Sequence, residues 1–315
     1  MNSLVSMSDT FIYRRVHFRH RRSDMSLLIA TFPETKNIAH DVARSLKAEC
    51  TEIFVEDFPD SEFHLALKKD PKNKTVVIMG SLCNDPDNKL IEAILAGGVA
   101  KDYGAKRVIL MATYFPYLRQ DRHFFKYDSF SSKHIMRLMV NFDHIITIDP
   151  HLHRIKKMSG FSYKAQSISA NKLIADYIWK RFKNNFTIVG PDEESAQWSR
   201  PIAKMLGQDV VVLKKTRFSS TKIAVRQDKV HNYKKNVIII DDIISTGRTL
   251  VGALKLAKQQ GAQHLVCIGI HGLLVKGADS LITKHAELIT SNTIPNRYSD
   301  ITVAPIIVEA LRKYR

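Results

Sequence analysis

Apolar residues in this chain fall into two alternating kinds of run. Short β-branched blocks are solidly hydrophobic, and longer stretches with helical spacing of apolar positions lie between them. Thr75–Met79, Val108–Ala112, His144–Ile148, Phe186–Val189, Val237–Ile240 and His264–Ile270 predict buried strands, and Met25–Thr31 predicts a first one. Leu90–Tyr103 and Leu250–Gln260 predict helices, each followed by Gly-Ala, a helix stop and turn. Hydrophobic strands separated by helices are the pattern of a parallel sheet covered on both faces, so the expected class is α/β.

The pattern also repeats. Lys74-Thr-Val-Val-Ile-Met-Gly-Ser-Leu aligns with Lys235-Asn-Val-Ile-Ile-Ile-Asp-Asp-Ile. After each comes a helix, and then Gly104-Ala-Lys-Arg-Val-Ile-Leu-Met aligns with Gly261-Ala-Gln-His-Leu-Val-Cys-Ile. Two strand–loop–helix–strand units half a chain apart predict tandem copies of one α/β domain. Only the second copy places two acids after its strand, so the copies differ in chemistry.

Composition narrows the class without choosing a ligand. The 315 residues are 44% hydrophobic and 25% charged, which excludes wholesale disorder. Lys and Arg number 48 against 31 Asp and Glu, a net charge of +17 whose field attracts nucleic acid, acidic lipid or phosphorylated metabolites. Three widely spaced cysteines supply neither a disulfide framework nor a CxxC metal pair. No apolar run reaches the roughly 18 residues of a membrane span, and the expected location is the cytoplasm. Residues 1–24 stand apart, with five Arg and two Asp among Ser, Phe and Tyr. They read as a dispensable basic extension, with an organelle presequence, a basic arm or a start upstream of Met25 as the alternatives.

The sharpest chemical feature is Val237-Ile-Ile-Ile-Asp-Asp-Ile-Ile-Ser-Thr-Gly-Arg-Thr-Leu250. An apolar strand delivers Asp241 and Asp242 to its carboxyl end, where open α/β sheets bind ligands. Ser245, Thr246, Gly247, Arg248 and Thr249 then enter a helix, and their N–H groups, hydroxyls and the helix dipole make an anion cradle. Paired acids beside a phosphate cradle suit a sugar phosphate, the acids meeting ribose hydroxyls or a metal.

This stretch resembles the phosphoribosyl pyrophosphate loop shared by phosphoribosyltransferases and ribose-phosphate pyrophosphokinases. Phe115-Pro-Tyr-Leu-Arg-Gln-Asp-Arg122 resembles the nucleotide-binding motif of the pyrophosphokinases, which the transferases lack. Asn84–Glu92, Asp149-Pro-His-Leu-His153, Pro191-Asp192, Lys214-Lys-Thr-Arg217 and Ser291-Asn-Thr-Ile-Pro295 match the same family in order. The resemblance covers about residues 26–312 and implies two tandem phosphoribosyltransferase-like domains with parallel sheets flanked by helices. The implied division is 25–166 for the nucleotide-binding domain and 167–302 for the ribose 5-phosphate domain. Residues 303–315 would return to the first domain.

The resemblance further implies transfer of the β,γ-diphosphoryl group of MgATP to O1 of ribose 5-phosphate, in a dimer-based homo-oligomer. Arg119, Gln120, Asp121 and Arg122 would hold ATP, with Phe58, Asp60 and Glu62 reaching the adenine of a neighbouring subunit; Ser61 stands there in place of the family's glycine. Asp241, Asp242 and Ser245–Thr249 would hold ribose 5-phosphate. His151 and Asp192 are the implied Mg²⁺ residues, His151 doubling as a catalytic group. Lys215 and Arg217 would neutralise the moving phosphates from a loop that closes over them.

Two departures from the family are visible. Pro191-Asp192 is followed by Glu193-Glu-Ser-Ala-Gln-Trp198 rather than a glycine-containing turn, which predicts either crowding of the ribose-phosphate site or a longer helix start. Arg248 replaces a second glycine in the cradle, which predicts either stronger phosphate binding or, if that position needs a left-handed backbone, a distorted loop. The rival readings are a weakly active or inactive family member serving as a subunit of an active synthase, and a base-specific phosphoribosyltransferase. The absence of a basic–aromatic platform motif argues against specific nucleic-acid binding.

Overall fold

The computed structural model describes residues 26–315 except 124, 153, 154, 156, 163, 218–222 and 227–232, and gives only the backbone of 215–217 and 223–226. The basic segment 1–24, His153 and the polar stretch Phe218–Lys222 therefore lie outside the described residues.

The first half runs β1 (Leu27–Thr31), α1 (Lys36–Leu46), β2 (Glu49–Asp57), β3 (Phe63–Leu67), β4 (Thr75–Ser81), α2 (Pro86–Asp102), β5 (Arg107–Tyr114), α3 (Ser131–Leu138), β6 (His144–Ile148) and β7 (Ala165–Ile168). Its seven strands order as β3-β2-β1-β4-β5-β6-β7, parallel throughout except for the β2–β3 hairpin. The second half runs α4 (Asn171–Phe182), β8 (Phe186–Gly190), α5 (Ala196–Met205), β9 (Val210–Val212), β10 (Lys214–Arg217), β11 (Ile223–Arg226), β12 (Asn236–Ile244), α6 (Arg248–Gln259), β13 (His264–Gly272), α7 (Ala278–Thr283), β14 (Glu287–Ser291), β15 (Ser299–Ile301) and α8 (Ala304–Leu311). Six of these strands form a parallel sheet in the order β15-β14-β13-β12-β8-β9, and β10 and β11 pair as a separate antiparallel ribbon.

The duplication is visible in equivalent hydrogen bonds. Lys106 N–H donates to Lys74 C=O at 2.9 Å, and Gln263 N–H donates to Lys235 C=O at 2.9 Å. Gly104 and Gly261 end α2 and α6 with φ of 82° and 92°, the left-handed turn predicted from Gly-Ala. The strands outrun their predicted ends. β12 continues through both acids to Ile244, because Ile243 and Ile244 pair with His271 and Gly272. Asp241 and Asp242 thus sit inside a hydrogen-bonded strand rather than on a loop beyond it.

One apolar cluster joins the halves, from Ile29, Met79 and Ile146 through Ile174 and Ile178 to Ile238, Ile268 and Ile307. Separate clusters fill the outer face of each sheet. α8 packs on α1 and β7 of the first half. Beyond it Tyr314 is buried beside His144, their ring centroids 5.0 Å apart. Among the described residues no helix is long and apolar enough to cross a membrane. Cys83 and Cys267 are buried free thiols and Cys50 is half-buried. Leu311 is fully buried where α8 meets the first half, so Leu311→Ala is expected to cost about 2–5 kcal/mol. Urea denaturation of the full chain reads this as a lower midpoint at unchanged slope.

Candidate active site

The parallel strands of both halves deliver side chains to one cavity of about 200 Å³. The run after β5 contributes Phe115, Tyr117, Leu118, Arg119 and Gln120, and the run after β6 contributes Pro150 and His151. From the second half come Ile243 of β12 and His271 of β13, which are register partners. A site at the carboxyl ends of parallel strands is where the topology leaves loops free to converge.

The nucleotide-motif run is tied down from both sides. Tyr117 hydroxyl donates to the Asp87 carboxylate at the start of α2. Gln120 C=O accepts from Ser132 Oγ at 2.9 Å, and its side-chain oxygen accepts from Ser131 Oγ, so the start of α3 anchors it. Arg119 and Gln120 are exposed at the cavity rim. Arg122 is exposed but is not part of the lining. Asp121 turns inward, buried, with its carboxylate accepting from Ile155 N–H at 3.4 Å.

Asp242, buried on β12, accepts a hydrogen bond from His151 Nδ1 in the first half. A carboxylate can only accept, so His151 meets Asp242 as the donor through Nδ1 and keeps Nε2 on the other edge of the ring. Burial pushes the Asp242 carboxyl up, but the His151 hydrogen bond, with the favourable electrostatic surroundings of the two imidazoles, outweighs it and holds the group below the usual range. Asp241 moves the opposite way. Burial, and then the negative charges of Asp242 and Asp192, push its carboxyl well above the usual range. The two neighbouring carboxyls are thus pushed in opposite directions, Asp242 towards its ionised form and Asp241 towards its neutral one.

In the cradle, Gly247 has φ +70°, a left-handed backbone that favours glycine, and a Cβ there would press on Ile282 Cδ1 at 3.0 Å. Arg248 is the first residue of α6 and is not among the left-handed residues, so that distortion does not arise. Ser245 and Thr249 are half-buried, and Thr246 and Arg248 are exposed. The other departure resolves as well. Asp192 Oδ1 accepts from Ser195 N–H at 3.0 Å, Glu193 and Glu194 are exposed, and Trp198 is buried in α5 instead of crowding the cradle. Gly190 makes the turn compact, since a Cβ there would lie 2.7 Å from Ser195 Oγ.

Not every candidate joins this cavity. Phe58, Asp60 and Glu62 sit exposed at the tip of the β2–β3 hairpin, closed by Phe58 N–H to Glu62 C=O at 2.7 Å. Ser61 there has φ +72°, the conformation that a glycine would hold without strain. Lys215 and Arg217 lie on the β10 backbone, which belongs to neither main sheet.

Sequence reading passed over His271, which is buried at the junction of the halves. Its Nε2 lies 3.2 Å from both Ile148 C=O and Asp149 C=O, and its Nδ1 lies 2.9 Å from Thr293 Oγ1. Its ring meets Tyr114 edge-on, centroids 5.1 Å apart. The available signal was a titratable residue ending an apolar run, next to the acid-bearing strand.

Residues 27–142 match the family model for the N-terminal domain of ribose phosphate pyrophosphokinase, and residues 164–299 match the phosphoribosyl transferase domain. A ribose-phosphate pyrophosphokinase of Methanopyrus kandleri is 29% identical over 289 residues, covering 90% of this chain and 98% of that one. The Pyrococcus furiosus protein of the same name is 29% identical over 84% of this chain and 94% of its own. In fold, the chain is similar to the crystal structure of phosphoribosylpyrophosphate synthetase from Mycobacterium smegmatis. The TM-score is 0.78 at 24% identity, covering 91% of this chain and 98% of that one.

Burial holds His271 neutral, its pKa lowered to about 4. The unfolded histidine takes up a proton near pH 6.5, so the stability it contributes is present above that pH and is lost as pH falls towards 4. Urea midpoints between pH 6.5 and 4 are expected to drop more steeply for the wild type than for His271→Gln.

Proposed function

The chain belongs to the ribose-phosphate pyrophosphokinase family, and from that premise we propose that it transfers the β,γ-diphosphoryl group of ATP to O1 of ribose 5-phosphate. The observation that carries this reading is the convergence of the Phe115–Gln120 run, His151 and Ile243 of β12 on one cavity, with Asp242, next to Ile243 and outside the lining, bonded to His151. The ribose O1 hydroxyl attacks the β-phosphorus. The O1–Pβ bond forms as the bond from Pβ to the α,β-bridging oxygen breaks; AMP leaves with that oxygen and its electron pair, and the O1 proton passes to solvent.

Such transfers are catalysed mainly by positioning and charge neutralisation. Arg119 and Arg122 supply planar cationic forks for the ATP phosphates, with Gln120 adding a hydrogen bond at the rim. Asp121, turned inward, serves by holding the motif in shape. The helix start at Ser245–Thr249 takes the 5-phosphate, and Asp241 and Asp242 face the ribose hydroxyls. Lys215 and Arg217 neutralise the charge that develops on the transferred phosphates. His151, oriented by Asp242, meets the phosphates or the metal through Nε2.

Mg²⁺ fits this acid set. Asp241 is forced towards its neutral form by burial and by its two acidic neighbours, an imbalance that a divalent cation relieves. Among the described residues no three or more His, Cys, Asp or Glu are placed to hold a metal ion, which suits an ion that keeps phosphate oxygens and waters as most of its ligands. His151 and Asp192 are the protein groups we assign to it, and it would neutralise phosphate charge. The exposed Phe58–Glu62 tip, outside the cavity lining, supports a homo-oligomer in which that tip serves a neighbour's nucleotide. The cytoplasm, where ATP is made available, is the proposed location.

Incubation with MgATP and ribose 5-phosphate, followed by ³¹P NMR, is expected to show a new pyrophosphoryl sugar together with AMP. Chelation of Mg²⁺ should abolish both products. Lys215→Ala should lower kcat by roughly 10²–10³-fold, the loss typical of removing a charge-stabilising donor. Arg119→Ala should raise KM for ATP about tenfold or more, since hydrogen bonds to charged groups contribute about 1.5–3 kcal/mol. Binding of ribose 5-phosphate without either product would overturn the reaction and leave a binding protein.

A further inference from the structure

Trp198 lies outside every motif used so far, in the first turn of α5 where the chain departs from its family's glycine-containing turn. It is only 4% exposed, and with Ile202 one turn on it faces the shared core. Its ring lies parallel to the His151 imidazole, centroids 6.0 Å apart and planes 15° from each other, an offset stack of favourable geometry. The indole therefore covers the face of a ring carried on the loop after β6.

That segment needs holding. Asp149 has φ +34°, a left-handed backbone that costs a non-glycine residue energy and persists only where its surroundings over-determine it. Ala170 N–H donates to Asp149 Oδ2 at 2.6 Å, and Asp149 N–H donates to Ile168 C=O of β7 at 2.9 Å. The second half adds Asp242 on the His151 edge, His271 on the Ile148 and Asp149 carbonyls, and Trp198 on the His151 face. Asp242 alone constrains one ring nitrogen and leaves the ring free to rotate about that bond. A flat surface against the ring face removes that rotation.

We propose that Trp198 is a positioning residue that sets the plane of the His151 ring, and with it the direction of Nε2, by stacking on the imidazole. The inference rests on the proposed reaction, in which His151 meets the phosphates or their metal. It also gives the unusual turn after Pro191-Asp192 a purpose: by starting α5 at Ala196 it brings an indole beneath the histidine.

The test uses the full chain with ATP, Mg²⁺ and ribose 5-phosphate. Trp198→Leu is expected to lower kcat about 100-fold, the order of loss for a misplaced catalytic group, with both KM values changed little. Trp198→Phe keeps a ring face and should retain most of kcat. A Trp198→Leu protein with reduced Tm but wild-type kcat per folded molecule would show a role in packing alone and overturn the proposal. A second measurement does not depend on turnover. The chain has two tryptophans, and Trp179 is half exposed, so Trp179→Phe leaves Trp198 as the sole indole. Its emission should brighten when His151→Ala removes the stacked quencher, and unchanged emission would overturn the contact. An inactive wild type with a brightening indole would sink the proposed reaction while supporting the clamp.

Discussion

The arrangement of this molecule turns on one buried hydrogen bond between its halves, from the His151 imidazole to the Asp242 carboxylate. A buried carboxylate is tolerated only when its charge is met by a well-placed partner. Asp242 cannot move to find one, because its backbone lies between Asp241 and Ile243, both held in register with β13. The other half has to bring the partner to it, and the loop after β6 does so under the combined hold of His271, Trp198 and the continuous apolar cluster. Removing either member would leave the other desolvated, so the pair enforces the relative placement of the sheets as much as it serves chemistry.

Three acids cluster beside the start of α6, and their surroundings push two of them in opposite directions. Asp242 is held below the usual carboxylate range chiefly by its His151 hydrogen bond, whereas burial and the neighbouring Asp242 and Asp192 raise Asp241 above it. Adjacent carboxyls on one strand thus differ because only one of them reaches an imidazole of the other half.

Duplication explains the scaffold, and divergence at a single register explains the asymmetry. Asp241 and Asp242 of β12 align with Gly80 and Ser81 of β4. A Cβ at Gly80 would lie 2.7 Å from Phe32 Cδ2, so the first half has filled with an aromatic ring the space where the second half places a carboxylate. The two copies accordingly bring different side chains to their junction, one the Phe115–Gln120 run and the His151 loop, the other the paired acids of β12 and the glycine turn into α6.

The alternation of apolar blocks and helical stretches by itself determined the α/β class, the duplication and the placement of the acid pair at a sheet's ligand end, because buried parallel strands and their turns leave local patterns of residue type. Short motifs with internal spacing, such as Phe115–Arg122 and Asp241–Thr249, were legible for the same reason. Only the tertiary structure decided which members of those motifs face the cavity: Asp121 turns inward although it stands between exposed Gln120 and Arg122, since a distant amide, Ile155 N–H, claims its carboxylate. The roles of His271 and Trp198 were equally invisible, one ending an ordinary strand and the other reading as a crowding departure. Both act through partners more than 40 residues away, and contacts made across two folded halves leave no periodic trace in the chain that makes them.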